Sequence, residues 1–192
     1  MATYSTAVFP PSQLWDFAVR IYNDRAVEGA CLRLQDRRGL DVNLVLFCVW
    51  AAASGRGRLS EEELEAALEA SLVWQAEVVA PLRHVRRFLK NQPGPGDSRL
   101  GAELARGIAE SELFSEHMEI QILTEILGRP ATGSFDIQDR AEAAADNFTA
   151  YMLRMIGEID MADREDALII WQQAFPKARP RYTDLFRPLA AA

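Results

Sequence analysis

Arg83, Arg86, Arg87 and Lys90 recur at i, i+3, i+4 and i+7, a spacing that sets four positive charges along one side of a helix. Guanidinium groups arrayed in this way suit a phosphate or a partner's carboxylates, which they can grip through two parallel hydrogen bonds. Further along, Glu112, Glu116 and Glu119 recur at i, i+4 and i+7, with Glu103, Glu110 and His117 close by, so an acidic stripe follows the basic one. A third group, Gln35, Asp36, Asp41 and Asn43, crowds the turn between two predicted helices. Asp41 and Asn43 have a plain role there, accepting from free amides of a first helical turn or sitting at the positive end of its dipole. With Gln35 and Asp36 they also place polar groups beside an apolar surface, the usual make-up of a small-molecule site. The stripes have a plain reading too, as solvated helix faces with partial ion pairing. The residues picked out for binding are Arg83, Arg86, Arg87, Lys90, Gln35, Asp36, Asp41 and Asn43.

Other chemistries lack their residues. A carboxylate-bridged di-iron bundle uses Glu-x-x-His on two helices, but the chain has only His84 and His117, and Phe114 stands three places before His117. Asp160, Asp163, Glu165 and Asp166 lack the glycine and spacing of a calcium loop and read instead as the start of a last helix, which Asp163 can open. No serine or cysteine lies in a recognisable nucleophile context. Gly55 to Arg58, GRGR, closes a helix rather than opening a strand-to-helix phosphate loop. Neither DDxxD nor DxxxD is present, which weighs against diphosphate chemistry of the isoprenoid-synthase kind. No metal site or cofactor is therefore expected, and no catalytic residue is identified.

These candidates must be positioned by helices. From Leu44 to Ala53 every residue is apolar, with Asp41 ahead as a cap and Gly55 behind as a residue tolerant of the left-handed terminating conformation. A helix apolar all round belongs in the middle of a bundle, since ten residues span about 15 Å, half of a bilayer's hydrocarbon core. Ser12 can cap a preceding helix to about Tyr22, and Asp24 to Arg38 carries Val27, Ala30, Cys31 and Leu34 as one buried stripe closed by Gly39. Ser60 and Glu63 form the capping-box pattern, opening a helical stretch that Pro81 divides in two near Ala80. In its second half Leu82, Val85 and Leu89 are expected to face inward. Asn91 to Asp97, NQPGPGD, is a loop, after which a helix capped by Ser98 runs to Leu127. Ile137, Ala141, Ala144, Phe148, Tyr151 and Met155 make the seam of a bundle helix, able to fill one bundle or to pair two chains as a homodimer.

The sum is an all-α, single-domain bundle of about seven helices around a central apolar helix at residues 41–54. Residues 1–176 form the bundle and 177–192 an irregular tail rich in proline. A helix-turn-helix regulator shares the outline of the first three helices, but a recognition helix exposes polar and basic side chains, whereas this one offers Leu44, Phe47 and Trp50. With 28 acidic against 21 basic residues the formal charge is −7, which adds no pull toward nucleic acid. The start, MATYSTAVFPPSQ, has no basic n-region and no long apolar h-region, so no secretory signal is expected. Two cysteines, Cys31 and Cys48, make no disulfide framework and read as small buried hydrophobes, consistent with a reducing cytoplasm.

The string from Ala30 to Trp50, together with Leu14 to Phe17 before it and Trp74 through PLRHVRRFLK after it, resembles a family of small bacterial proteins known only as a domain of unknown function. The resemblance rests on Leu34 to Asp36 (LQD), Gly39, Asp41 to Asn43 (DVN) and Trp50. It implies a proteobacterial, cytoplasmic protein and brings no activity, cofactor or site residue. Two functions then compete. One is a non-catalytic binding or adaptor protein for a protein partner or a small anionic ligand. The other is an enzyme or carrier for an apolar or phosphorylated small molecule held in the helical core.

Overall fold

A computed structural model describes residues 11–91 and 98–190. The loop expected over Asn91 to Asp97 falls almost wholly outside them, and so does the side chain of Ser98. The chain is an all-α bundle, with no strand among the described residues. Its α-helices are α1 (Gln13–Tyr22), α2 (Arg25–Arg38), α3 (Val42–Ala53), α4 (Glu61–Trp74), α5 (Ala80–Asn91), α6 (Ser98–Ile126), α7 (Ile137–Ile156), α8 (Met161–Ala174) and the short α9 (Arg187–Ala190).

Capping chemistry sets most of the boundaries. Ser12 accepts from the amide of Trp15, Asp24 from those of Ala26 and Val27, and Asp136 from those of Gln138 and Asp139. Gly39 takes φ 69° at the end of α2, the left-handed stop that only glycine adopts without strain. At α4, Ser60 and Glu63 complete a reciprocal capping box. The last long helix begins differently from expectation: Asp160 is its cap, and Asp163 is the third helical residue that answers it in a second capping box. Asp163 is fully buried, so its carboxylate needs partners beyond the cap. Arg37 and Arg38 of α2 supply them at 2.8 Å each, while Arg33 pairs with Asp166, and the two helices are bound along their length. Although burial alone would raise it, hydrogen bonds from Arg38 and Arg37 hold the Asp163 carboxyl below its ordinary range.

At the centre, α3 is buried from Leu44 to Ala52. Helix α7 lies along it through small residues, Ala141, Ala144 and Ala145, with Phe148 and Tyr151 filling the remaining space. Ile137, expected in the same seam, is exposed, because the first turn of α7 extends past the core. Asn147 is a buried polar clamp: its amide donates to the carbonyls of Cys48 and Gly57, and its oxygen accepts from the amide of Leu59. Both cysteines are free and buried. Beyond Pro176, a 3-10 turn (Pro180–Tyr182) precedes α9, and Phe186 packs on Trp171 with ring centroids 5.1 Å apart.

The two expected segments are present and α5 begins at Ala80, but the chain stays helical between them. Helix continues without a break from α4 to α5 through a π-helical turn (Gln75–Val79), in which the amide of Ala80 donates to the carbonyl of Gln75. Proline lacks an amide and its ring would strike the carbonyl four residues back, so a wider turn immediately ahead absorbs it where a regular α-helix would kink. Helix α5 then lies against α6 with none of its residues fully buried; Val85, expected to face inward, is exposed.

Trp50 is 2% exposed, stacked beneath the Arg56 guanidinium at 4.5 Å and near Phe47. Trp50→Ala is expected to cost about 3 to 5 kcal/mol in denaturant melts, the range for truncating a large core aromatic; a loss below about 1 kcal/mol would remove Trp50 from the core.

Candidate functional site

Where α3 begins, its cap also faces outward into a cleft of about 710 Å³, bounded by α1, α2, the start of α3, α4, α5 and α6. Asp41 is divided between two tasks. Its Oδ1 accepts from the amides of Asn43 at 2.7 Å and Leu44 at 3.4 Å, while its Oδ2 lies 3.3 Å from the hydroxyl of Ser71. The backbone amide of Asp41 donates to the Tyr151 hydroxyl at 2.8 Å, which fixes the turn against α7.

Glu119 of α6 sits directly beneath this floor and is 1% exposed. It accepts from three neutral donors: Ser71 Oγ at 2.5 Å, Asn43 Nδ2 at 2.8 Å and Gln75 Nε2 at 2.8 Å. Gln75 is the first residue of the π-helical turn, so the irregularity ahead of Pro81 also supplies one of these donors. Among the described residues neither Asp41 nor Glu119 has a basic side chain in ion-pairing contact. Burial, and next the charge of Asp41, push the Glu119 carboxyl up to about 8; burial likewise raises Asp41. Two buried carboxyls in mutual contact without a cation retain one proton between them at neutral pH.

The rim has the opposite economy. Arg83 donates to Glu112 at 3.0 Å and to Glu116 at 2.9 Å, and Arg86 donates to Glu112 through both Nε and Nη2. The basic and acidic stripes therefore face one another across α5 and α6. Burial would raise Glu112, but hydrogen bonds from Arg86 and Arg83 hold it below its ordinary range. Glu116 is raised by burial despite Arg83.

Of the residues picked out from sequence, Gln35, Asp41, Asn43, Arg83, Arg86 and Arg87 all line this one cleft. Asp36 is exposed on α2 outside it, and Lys90 is exposed beyond it toward the end of α5. Ser71, Gln75 and Tyr151 were not singled out for a polar role. A signal for Ser71 exists, because it is the polar member of the buried stripe Leu64, Ala67, Leu68 and Ser71. Glu119 belongs to the acidic stripe by spacing, but its buried neighbours Ile120 and Leu123 show that this edge of the stripe turns into the core.

The raised Glu119 fixes a sign for stability against pH. A group whose folded pKa lies above its unfolded one stabilises fully below the unfolded value, and that contribution is lost as pH rises through the folded value. Stability should therefore fall between about pH 5 and pH 8. In Glu119→Gln the amide can donate where the proton sat and still accept from Asn43 and Gln75. The variant is expected to flatten that fall and to exceed wild type by about 1 to 2 kcal/mol near pH 8, followed by urea melts across pH. A wild-type slope retained in the variant would show that Glu119 does not hold the proton.

No curated protein and no solved structure matches this chain. A family model described as "Protein of unknown function (DUF2390)" matches residues 13–123. That span contains Asp41, Asn43, Ser71, Gln75, Arg83, Arg86, Glu112, Glu116 and Glu119, and leaves out Tyr151. With more than half of its length matched, the chain belongs to this family of unknown function.

Proposed function

We propose that the protein is a non-catalytic small-molecule-binding protein of the cytoplasm whose ligand site is the cleft at the start of α3. The observation that carries this reading is the convergence of Asp41, Ser71, Asn43 and Gln75 on the floor of a cleft whose wall combines apolar side chains such as Trp15, Leu72 and Met155 with the charged rim of α5 and α6. A volume near 710 Å³ lies within the span of sites for small ligands, about 300 to 1,000 Å³, and a few placed polar groups in an apolar wall give such sites orientation. Neither histidine nor cysteine lines it, which speaks for binding rather than nucleophilic chemistry. The phosphorylated or anionic ligand loses ground, since Arg83 and Arg86 already answer Glu112 and Glu116. Buried, free Cys31 and Cys48 support the reducing compartment. No helix among the described residues is long and apolar enough to cross a membrane.

The proton held between Asp41 and Glu119 favours a second reading, an enzyme that uses the pair as proton donor and acceptor. A protein partner would find support on α5, where Val85 and Phe88 stand exposed on the helix that carries Arg87 and Lys90.

Val19 lines the cleft and is exposed on α1, so Val19→Trp should fill the site without disturbing the core. Native mass spectrometry of wild type exposed to a metabolite extract is expected to show a bound small molecule that Val19→Trp fails to retain. Equal retention by both would move the site elsewhere. Conversion of the retained molecule during incubation would favour the enzyme.

A further inference from the structure

We propose that the cleft takes a primary ammonium on a compact apolar body, with its nitrogen seated against the Asp41 carboxylate and beside the Ser71 hydroxyl. The inference rests on the reading of the cleft as a ligand site and names the class of ligand. Three observations converge on it.

The first is hydrogen-bond supply. Ser71 has one proton to give and two carboxyls in reach, Glu119 Oε1 at 2.5 Å and Asp41 Oδ2 at 3.3 Å. When it donates to Glu119, the donor left to Asp41 is the proton that it shares with Glu119, the one an ammonium would displace. An ammonium brings three.

The second is charge. Along the rim, Arg83 and Arg86 are answered by Glu112 and Glu116, and Arg87, which also lines the cleft, is solvent-exposed. Asp41 and Glu119 are met only by neutral donors. The missing charge at the floor is positive, and it must come from a proton or from a ligand.

Shape supplies the third. Leu40, Leu44, Leu72, Ile120 and Trp15 line the cleft together with Asp41, which suits a hydrocarbon body attached to the charged nitrogen. A long polar ligand would leave its groups unpaired against these walls.

Seating the ammonium displaces the proton shared by the pair, and this predicts how affinity depends on pH. The raised Glu119 agrees, since at neutral pH there is a proton to displace. The other titratable and charged groups facing the floor are Arg83, Arg86 and Arg87 from α5, Glu112 and Glu116 from α6, Tyr22 from α1 and Tyr151 from α7. His117 of α6 stacks on Trp15, with burial lowering its pKa. The two tyrosines are raised by burial and stay neutral, Glu112 is held low by its arginines, and Glu116 is raised by burial but answered by Arg83.

The test uses the full chain and three probes with the same aromatic body: phenethylammonium, phenethyl alcohol and hydrocinnamate, titrated by calorimetry or ligand-observed NMR. Phenethylammonium is expected to bind at least about tenfold tighter than the other two, as a charge-assisted hydrogen bond implies. Its affinity should rise from about pH 6 to pH 8, with proton release seen in buffers of different ionisation enthalpy. Asp41→Asn keeps a good helix cap and removes the charge, so it should weaken the ammonium by about tenfold or more while the melting profile stays close to wild type. In Glu119→Gln the ammonium should still bind, now with little pH dependence.

Equal binding of the alcohol or the carboxylate, no binding of any probe, or unchanged affinity in Asp41→Asn would each overturn the inference. If the alcohol or hydrocinnamate binds and Val19→Trp blocks it, the cleft stands as a ligand site and only the ammonium falls. If phenethylammonium binds equally well to Val19→Trp, both readings fall.

Discussion

Burying a helix that is apolar on every side constrains everything else in this molecule. Helix α3 has no face that can be left in water, so α1, α2, α6, α7 and α8 all pack against it. Its first turn lies half-buried at the edge of the cleft. The free amides there must be satisfied away from bulk water, and the carboxylate of Asp41 does this. A residue that on a surface helix would be a routine cap is thereby brought against a glutamate of α6. The cap and the candidate site are two consequences of the same burial.

Charge is then distributed in two different ways. Where α2 meets α8, and where α5 meets α6, buried or half-buried carboxylates are matched by arginines, and the affected carboxyls Asp163 and Glu112 sit below their ordinary range. At the floor of the cleft the same kind of side chain is matched by a hydroxyl and two amides, and Glu119 rises. Matched pairs hold helices together; the unmatched pair stores a proton and an unmet demand for positive charge. Asp41 and Glu119 differ from Asp163 and Glu112 in their neighbours alone, which is why the cleft stands apart from the other acidic positions of the bundle.

The π-helical turn links these two regimes. By widening the helix ahead of Pro81, it turns Gln75 toward Glu119 while Arg83 and Arg86 reach Glu112 and Glu116 on the same neighbouring helix. Ser71, Gln75, Arg83 and Arg86 thus meet α6 in succession along one continuous helical path. Local irregularity here serves position: a proline tolerated by a wider turn places the last donor of the site.

Much of this was legible in the chain itself. Caps at Ser12, Asp24, Asp41, Ser60 and Asp136, the stop at Gly39 and the apolar run from Leu44 depend on neighbours within a few residues, and local sequence determined them. Helical spacing likewise disclosed the arginine and glutamate stripes. What spacing cannot disclose is depth. Glu112, Glu116 and Glu119 share one period, yet the first is neutralised by arginines and the last is sealed under Ser71, because only the packing of α4 and α5 on α6 decides how far each lies from water. The same holds for Asp163, read as a helix start and found instead to be a buried anchor for two arginines of α2. Sequence by itself determined the helices, their ends and the types of charge they carry. Tertiary structure alone decided which charges meet and which are left unanswered, because the free energy of a carboxylate depends on solvent and on partners distant in the chain.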